Sequence, residues 1–196
     1  VCSDSHTCTH GGMGSLAWGI GSSELVHAMA TQTVMQRKPL RMRVKFDGDL
    51  SQWVSAKDLI LHLIGREGAA SGDGYAVEYA GSSITALGVE SRLTLCNLSI
   101  EMGAKVGMIA PDDKVYDYLE GRKFAPSGRA WDAAVTHWQS LPSDEHAIFD
   151  REVEVDVRGL APHISWGTSP EHTIAVTDRI PDPSNETDLD RRQALT

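Results

Sequence analysis

Along this chain the apolar positions recur sometimes every second residue and sometimes every third or fourth, and the switches between the two periods outline its elements. Ser22-Ser23-Glu24 opens a helix that continues through Leu25, Ala28, Met29 and Gln32 until Pro39 forbids it. Arg41-Met42-Arg43-Val44-Lys45-Phe46 alternates strictly, which predicts a strand with Met42, Val44 and Phe46 on one face, stopping at Asp47-Gly48. Ser55 with Asp58 three residues later has capping-box spacing. Ala56, Leu59, Ile60, Leu63 and Ile64 then form the stripe of a helix that ends between Gly65 and Gly68. Tyr75 to Ala80, set between Gly74 and Gly81, reads as a strand, residues 91 to 104 as a helix, and Val106 to Ile109 as a short buried strand. Pro111-Asp112-Asp113 enters another helix that runs to about Glu120. Trp131, Ala134, Val135 and Trp138 share one helical face, and Val153, Val155 and Val157 alternate with acids in a strand.

Strands alternating with helices in this order predict an α/β fold with a parallel or mixed sheet layered with helices. Three segments are expected. Residues 1–38 form a loop, a glycine-rich turn and a helix, and residues 39–176 form an α/β domain that opens with the first strand. Residues 177–196 are rich in Pro, Asp and Arg, lack apolar periodicity, and read as a linker or tail. The chain opens on Val1 three residues before its first reactive-looking motif, and so is expected to be a piece of a longer protein.

The 196 residues suffice for a real core. The 18 basic and 27 acidic residues give a net charge of -9, which argues against a nucleic-acid or anionic-membrane partner. No apolar run approaches the roughly 20 residues of a membrane helix, and Cys2, Cys8 and Cys96 follow no disulfide framework. A cytoplasmic protein is expected.

Candidate chemistry begins at Asp4-Ser5-His6-Thr7, which is followed by Gly11-Gly12-Met13-Gly14 and Gly19-Ile20-Gly21. Acid, hydroxyl and imidazole stand beside backbone free of Cβ atoms, as at the edge of an active site where a ligand comes close. In the 91–104 helix, Leu93, Cys96, Ile100 and Ala104 are expected to face inward, with Asn97 and Glu101 on the same side. A carboxylate there needs a partner, and His6 is the candidate. Glu101 would hold the imidazole protonated and leave its other N–H free for a bound oxygen. The alternative is a Glu101 standing in water at the helix edge.

Other motifs are weaker. Cys2, His6, Cys8 and His10 lack the paired spacing of zinc modules and read as two thiols beside two polar histidines. Glu24 stands where a dinucleotide fingerprint needs its third glycine, and no phosphate-loop spacing exists. Ser5 as a nucleophile activated by the adjacent His6 is unattractive, because neighbours rarely supply that geometry and no nucleophile elbow surrounds them. His27, His62, His137, His146, His163 and His172 show no ligand spacing.

The same residues carry a resemblance. Val1-Cys2-Ser3-Asp4-Ser5-His6-Thr7, Thr9-His10-Gly11, the run from Gly19 to Glu24, Ala30-Thr31-Gln32-Thr33, Lys57-Asp58 through Gly74 and Glu78-Tyr79-Ala80-Gly81 resemble the aconitase superfamily. Cys96-Asn97 through Glu101 to Ala104, with Ser143-Asp144, Phe149-Asp150 and the run from Trp166 to Pro170, resemble its isopropylmalate dehydratase large-subunit branch. The resemblance implies an aconitase-like α/β/α fold, present in part. It also implies a hydro-lyase that isomerises a small hydroxy-diacid by dehydration and rehydration in leucine biosynthesis, on a 4Fe-4S cluster whose open iron acts as a Lewis acid. By matching motifs Asp4 and His6 would meet the iron-bound water, Ser5 would serve the substrate or cluster surroundings, Glu101 would pair with His6, and Asn97 would line the cluster pocket.

In the family, the three ligand cysteines lie downstream in Gly-Ser-Cys-Thr-Asn and Cys-x-x-Cys segments that this chain lacks, so no metal ligand, no bound cluster and no turnover are expected of the chain alone. The catalytic serine and substrate arginines belong to a swivelling domain that in this branch is a separate small subunit, the implied partner. A sister hydro-lyase acting on 2-methylmalate or homocitrate is the near alternative. A non-catalytic metal-binding or interaction module is the distant one.

Overall fold

The computed structural model describes residues 1–167 and 169–195; Thr168 of the 166–170 motif and Thr196 of the expected tail lie outside the described residues. A 3-10 segment, Ser5–Met13, leads into α1 (Ser22–Thr31), β1 (Leu40–Asp47), α2 (Ala56–Glu67) and β2 (Tyr75–Ala80). Next come α3 (Ser82–Ala86), α4 (Val89–Asn97), a second 3-10 segment (Leu98–Met102), β3 (Val106–Met108), α5 (Asp113–Leu119), α6 (Arg129–Trp138) and β4 (Arg151–Asp156). The pair β5 (His163–Ser165) and β6 (Thr173–Ala175), a 3-10 turn at Pro183–Asn185 and α7 (Leu189–Ala194) follow.

The main sheet runs β3-β2-β1-β4 with every neighbour parallel. Parallel neighbours need crossovers, and the helices supply them: α2 between β1 and β2, α3 and α4 between β2 and β3, α5 and α6 between β3 and β4. The alternation predicted for β1 is realised, with Met42, Val44 and Phe46 fully buried. Register sets Val44 beside Tyr79 and Val153, so one apolar face continues across three strands and meets Leu59, Ile60, Leu63 and Ile64 of α2 in the core. This is the α/β layering that the pattern predicts.

The opposite face is charged. Arg43 stands in register with Glu78 on β2 and Glu152 on β4; its guanidinium pairs with Glu152 at 2.7 Å and lies 4.4 Å from the Phe149 ring centroid. The 139–150 connection crosses this face, where Ser143 donates to Glu78.

The α2 cap forms as its spacing predicts, with the Ser55 backbone N–H and hydroxyl both donating to Asp58 Oδ2 at 2.7 Å. Asp58 Oδ1 accepts the backbone N–H of His163 at 2.7 Å, and His62 Nδ1 lies 3.3 Å from His163 Nε2, so one helix start also anchors the β5–β6 hairpin. Neither hairpin strand exceeds three residues, too few to show a period of two. For the same reason the five residues of α3 escaped the pattern. The segment expected as a linker or tail contains the short helix α7.

Two elements differ in extent from their predictions. The first helix stops at Thr31 instead of running toward Pro39, because Gln32 takes a left-handed conformation (φ 55°) and caps it through Ala28 O. The helix expected over 91–104 is α-helical only to Asn97; it then tightens into the 3-10 segment and ends at Gly103 (φ 81°). Its buried stripe is Arg92, Leu95, Cys96, Ser99 and Met102 instead of Leu93, Cys96, Ile100 and Ala104; of the predicted set only Cys96 and Ala104 are buried. The shift follows from Arg92, whose guanidinium is wholly buried, donates to Asp112 at 2.6 and 2.8 Å and bonds the carbonyls of Thr85 and Leu87. A charged residue satisfied in this way can be inside, which hydrophobic patterning does not register.

Candidate active site

The first 3-10 segment is short of apolar residues and is fixed by close backbone packing. A Cβ on Gly11 would lie 1.7 Å from Gly107 O of β3, and one on Gly12 would lie 2.7 Å from Leu93 N of α4. Ile109 N also donates to Gly11 O at 3.0 Å. The glycines at 11 and 12 thus bring backbone against backbone, which corrects the expectation that they admit a ligand. Gly19 does the same toward Asp4, where a Cβ would meet the Asp4 carbonyl at 2.6 Å.

This packing presents the Asp-Ser-His residues to the end of α4. Asp4 caps the segment, its Oδ1 accepting the His6 backbone N–H at 2.7 Å, and Thr7 Oγ1 donates to Asp4 O at 2.6 Å. His6 Nε2 lies 3.0 Å from Glu101 Oε1. Within the segment His6 alone departs from helical backbone (φ -91°, ψ 22°), and Ser5 Oγ lies 2.9 Å from His6 Nδ1. Neighbouring residues do therefore form the hydroxyl–imidazole contact that the sequence made unattractive. They do so at a kink in the bridge region of backbone space, not at a nucleophile elbow.

The ring's protonation follows from its partners. An ionised carboxylate only accepts, so Nε2 carries a proton toward Glu101. Nδ1 then accepts from Ser5 when the ring is neutral and donates to it when the ring is charged. Glu101 was expected to be buried and Nδ1 to be free; instead the two side chains are 40% and 38% exposed, and Nδ1 faces Ser5. Glu101 is thus paired, as the first reading has it, but stands at a wetted edge, as the alternative has it. An ion pair so exposed is worth about 0–1 kcal/mol. Its main effect is to orient the ring.

Asn97 joins the group through a residue with no assigned role. Its Nδ2 donates to Thr9 Oγ1 at 2.8 Å, and that hydroxyl donates to His6 O at 2.6 Å. The available signal was a threonine three residues after the histidine, a spacing at which the hydroxyl reaches the i−3 carbonyl. Cys8 is buried beneath, its sulfur 3.6 Å from Asn97 O. All five candidates, Asp4, Ser5, His6, Asn97 and Glu101, are therefore carried by the first 3-10 segment with its cap and by the end of α4 with the turn that follows.

The parallel α/β layer thus offers an Asp-Ser-His segment to an Asn and a Glu at a helix end. All of the chain, residues 1–196, matches the aconitase family (aconitate hydratase), to which it belongs. Over 195 residues it is 60% identical to 3-isopropylmalate dehydratase large subunit 1 of Bradyrhizobium diazoefficiens, a match covering 100% of this chain and 41% of that relative. The chain thus spans under half the length of the curated relative it matches.

The family implies an iron–sulfur cluster, and the cysteines present here do not fit as its ligands. Cys8 and Cys96 are 1% and 0% exposed, and burial pushes both thiols up. Cys2 is exposed and stands apart from them in burial. Among the described residues no three His, Cys, Asp or Glu side chains are placed to hold a metal, the zinc candidates Cys2, His6, Cys8 and His10 included. Among the described residues no helix is long and apolar enough to cross a membrane.

Proposed function

We propose that the whole protein is a cytoplasmic hydro-lyase of leucine biosynthesis that interconverts 2-isopropylmalate and 3-isopropylmalate by removing and re-adding water. It works with a small subunit carrying the swivelling domain, and its 4Fe-4S cluster is held by cysteines outside these 196 residues. Residues 1–38 close a first domain, 39–176 form most of a second, and 177–196 lead toward a third. The identity to a 3-isopropylmalate dehydratase large subunit supports this reading. The observation that carries it at the level of chemistry is the His6 imidazole held 3.0 Å from Glu101 with Ser5 on its other nitrogen.

Loss of water from a hydroxy acid leaves hydroxide unless a proton reaches the departing oxygen. When the ring is charged its Nδ1–H points along Ser5, and the exposed Ser5 hydroxyl can pass hydrogen-bond donation on to a substrate oxygen. Asp4 holds this geometry from the backbone, and Asn97 ties the end of α4 to it through Thr9.

The test uses the full-length protein with its small subunit and reconstituted cofactor, following the unsaturated acid in the ultraviolet. His6→Ala and Glu101→Gln are expected to lower kcat by about a hundredfold or more while leaving the circular dichroism unchanged. Undiminished turnover in both variants overturns the roles. A preference for 2-methylmalate or homocitrate over the isopropylmalates overturns the substrate.

A further inference from the structure

At the end of α4, one turn before Glu101, a concavity of about 330 Å³ opens between the first 3-10 segment and the start of α2, lined by Thr9, Lys57, Leu93, Thr94, Asn97 and Leu98. Its volume lies at the lower end of the range for small-molecule sites. Lys57 is exposed, and no described residue forms an ion pair or hydrogen bond with it. Arg41, Arg43, Arg66, Arg92, Arg151 and Arg158 are each held by a carboxylate, and of the cations left unpaired among the described residues, such as Lys38, Lys45 and Lys57, it is Lys57 that lines this concavity. Asn97 uses one amide N–H on Thr9, which leaves the second without a described partner.

We propose that Lys57 and the spare amide N–H of Asn97 form a carboxylate-binding subsite for a dianionic substrate, beside the His6–Glu101 pair. A carboxylate accepts on both oxygens and donates on neither, which matches an unengaged ammonium and an unengaged amide. The need for such a group is electrostatic: a chain of net charge -9 repels a dianion, and a local cation at the rim offsets that repulsion where the substrate enters. Leu93 and Leu98 give the concavity apolar walls suited to the hydrocarbon part of the acid. The inference rests on the hydro-lyase reading for the identity of the acid, and on the concavity alone for its class.

The experiment compares wild type, Lys57→Ala and Lys57→Arg in the full-length protein with its small subunit. Kinetics of the isopropylmalates are paired with calorimetric titration of succinate as an inert dicarboxylate. Lys57→Ala is expected to raise KM and the succinate Kd together by about tenfold, with kcat within about twofold, and to flatten the fall of kcat/KM with salt. Lys57→Arg should recover most of the affinity, since it restores the charge. Unchanged KM and Kd in a folded Lys57→Ala variant overturn the subsite, as does a loss confined to kcat. If isopropylmalates are not turned over by wild type while succinate binding still depends on Lys57, the hydro-lyase reading fails and the subsite stands.

Discussion

The 3-10 segment Ser5–Met13 and helix α1 lie within thirty residues of each other, and their sequences promise opposite fates. The first has no apolar stripe yet is locked in place: Thr7, Cys8, Gly11 and Gly12 are buried, and its backbone touches β3 and α4. The second has a regular apolar pattern and buries nothing; Val26 is 69% and Met29 is 76% exposed. Periodicity reports that a helix can form and which side is apolar, but not what lies opposite. Close packing through glycine and side-chain hydrogen bonds leaves no periodic trace, yet here it positions the chemistry.

The contrast is most sharply tested at Gly11. Gly11→Ala drives a methyl into Gly107 O, and a loss of about 3 kcal/mol in urea unfolding is expected, with detachment of the first segment read by hydrogen exchange. Native stability in this variant would show that the segment is held loosely, as α1 is.

Next in size is the buried cation beneath the segment. Asp112→Ala leaves the wholly buried Arg92 without its carboxylate and should cost about 2 kcal/mol. Partial burial acts to raise the Asp112 carboxyl, but the Arg92 guanidinium, the Val115 N–H and the Lys114 charge together hold the group below its ordinary range. The folded value is therefore depressed, so this stabilisation is complete above the ordinary carboxylate range and is lost as pH falls through the folded value. The wild type and the variant should converge in stability in strong acid; a gap that persists there would assign the loss to packing.

Thiol chemistry gives a graded readout of the same difference. The Asp4 backbone hydrogen bond lowers the exposed Cys2 thiol, whereas burial raises Cys8 and Cys96. Iodoacetamide should label Cys2 alone in the folded protein and all three in denaturant, by mass spectrometry. Labelling of native Cys8 would mean the first segment opens readily. The smallest effect is expected at α1, where Met29→Lys should change stability by no more than about 0.5 kcal/mol, because its side chain meets solvent.

Much of the fold was legible in the chain. The strict alternation at Arg41–Phe46, the Ser55/Asp58 cap and the valines at 153, 155 and 157 each marked an element that forms with the expected face buried. The aromatic face of α6 also packs as spaced, Trp131 and Trp138 lying against the small cluster around Val89, Val115 and Tyr116. What escaped is short or non-periodic: α3, the β5–β6 hairpin, and the change from α to 3-10 geometry at Asn97. Around the site, the approach of His6 to Glu101 was readable because a carboxylate near a helix face needs a partner. The Ser5 contact was not, since it depends on one kinked residue, nor was Thr9, whose part is played through a carbonyl.

His6 and Glu101 are separated by 95 positions in the chain, and nothing local brings them together. Between them the chain runs through α1, β1, α2, β2, α3 and α4, so the pair can form only after those elements have been made and packed. Any lesion that loosens those elements is transmitted to the ring's aim, which should shift before the protein visibly unfolds.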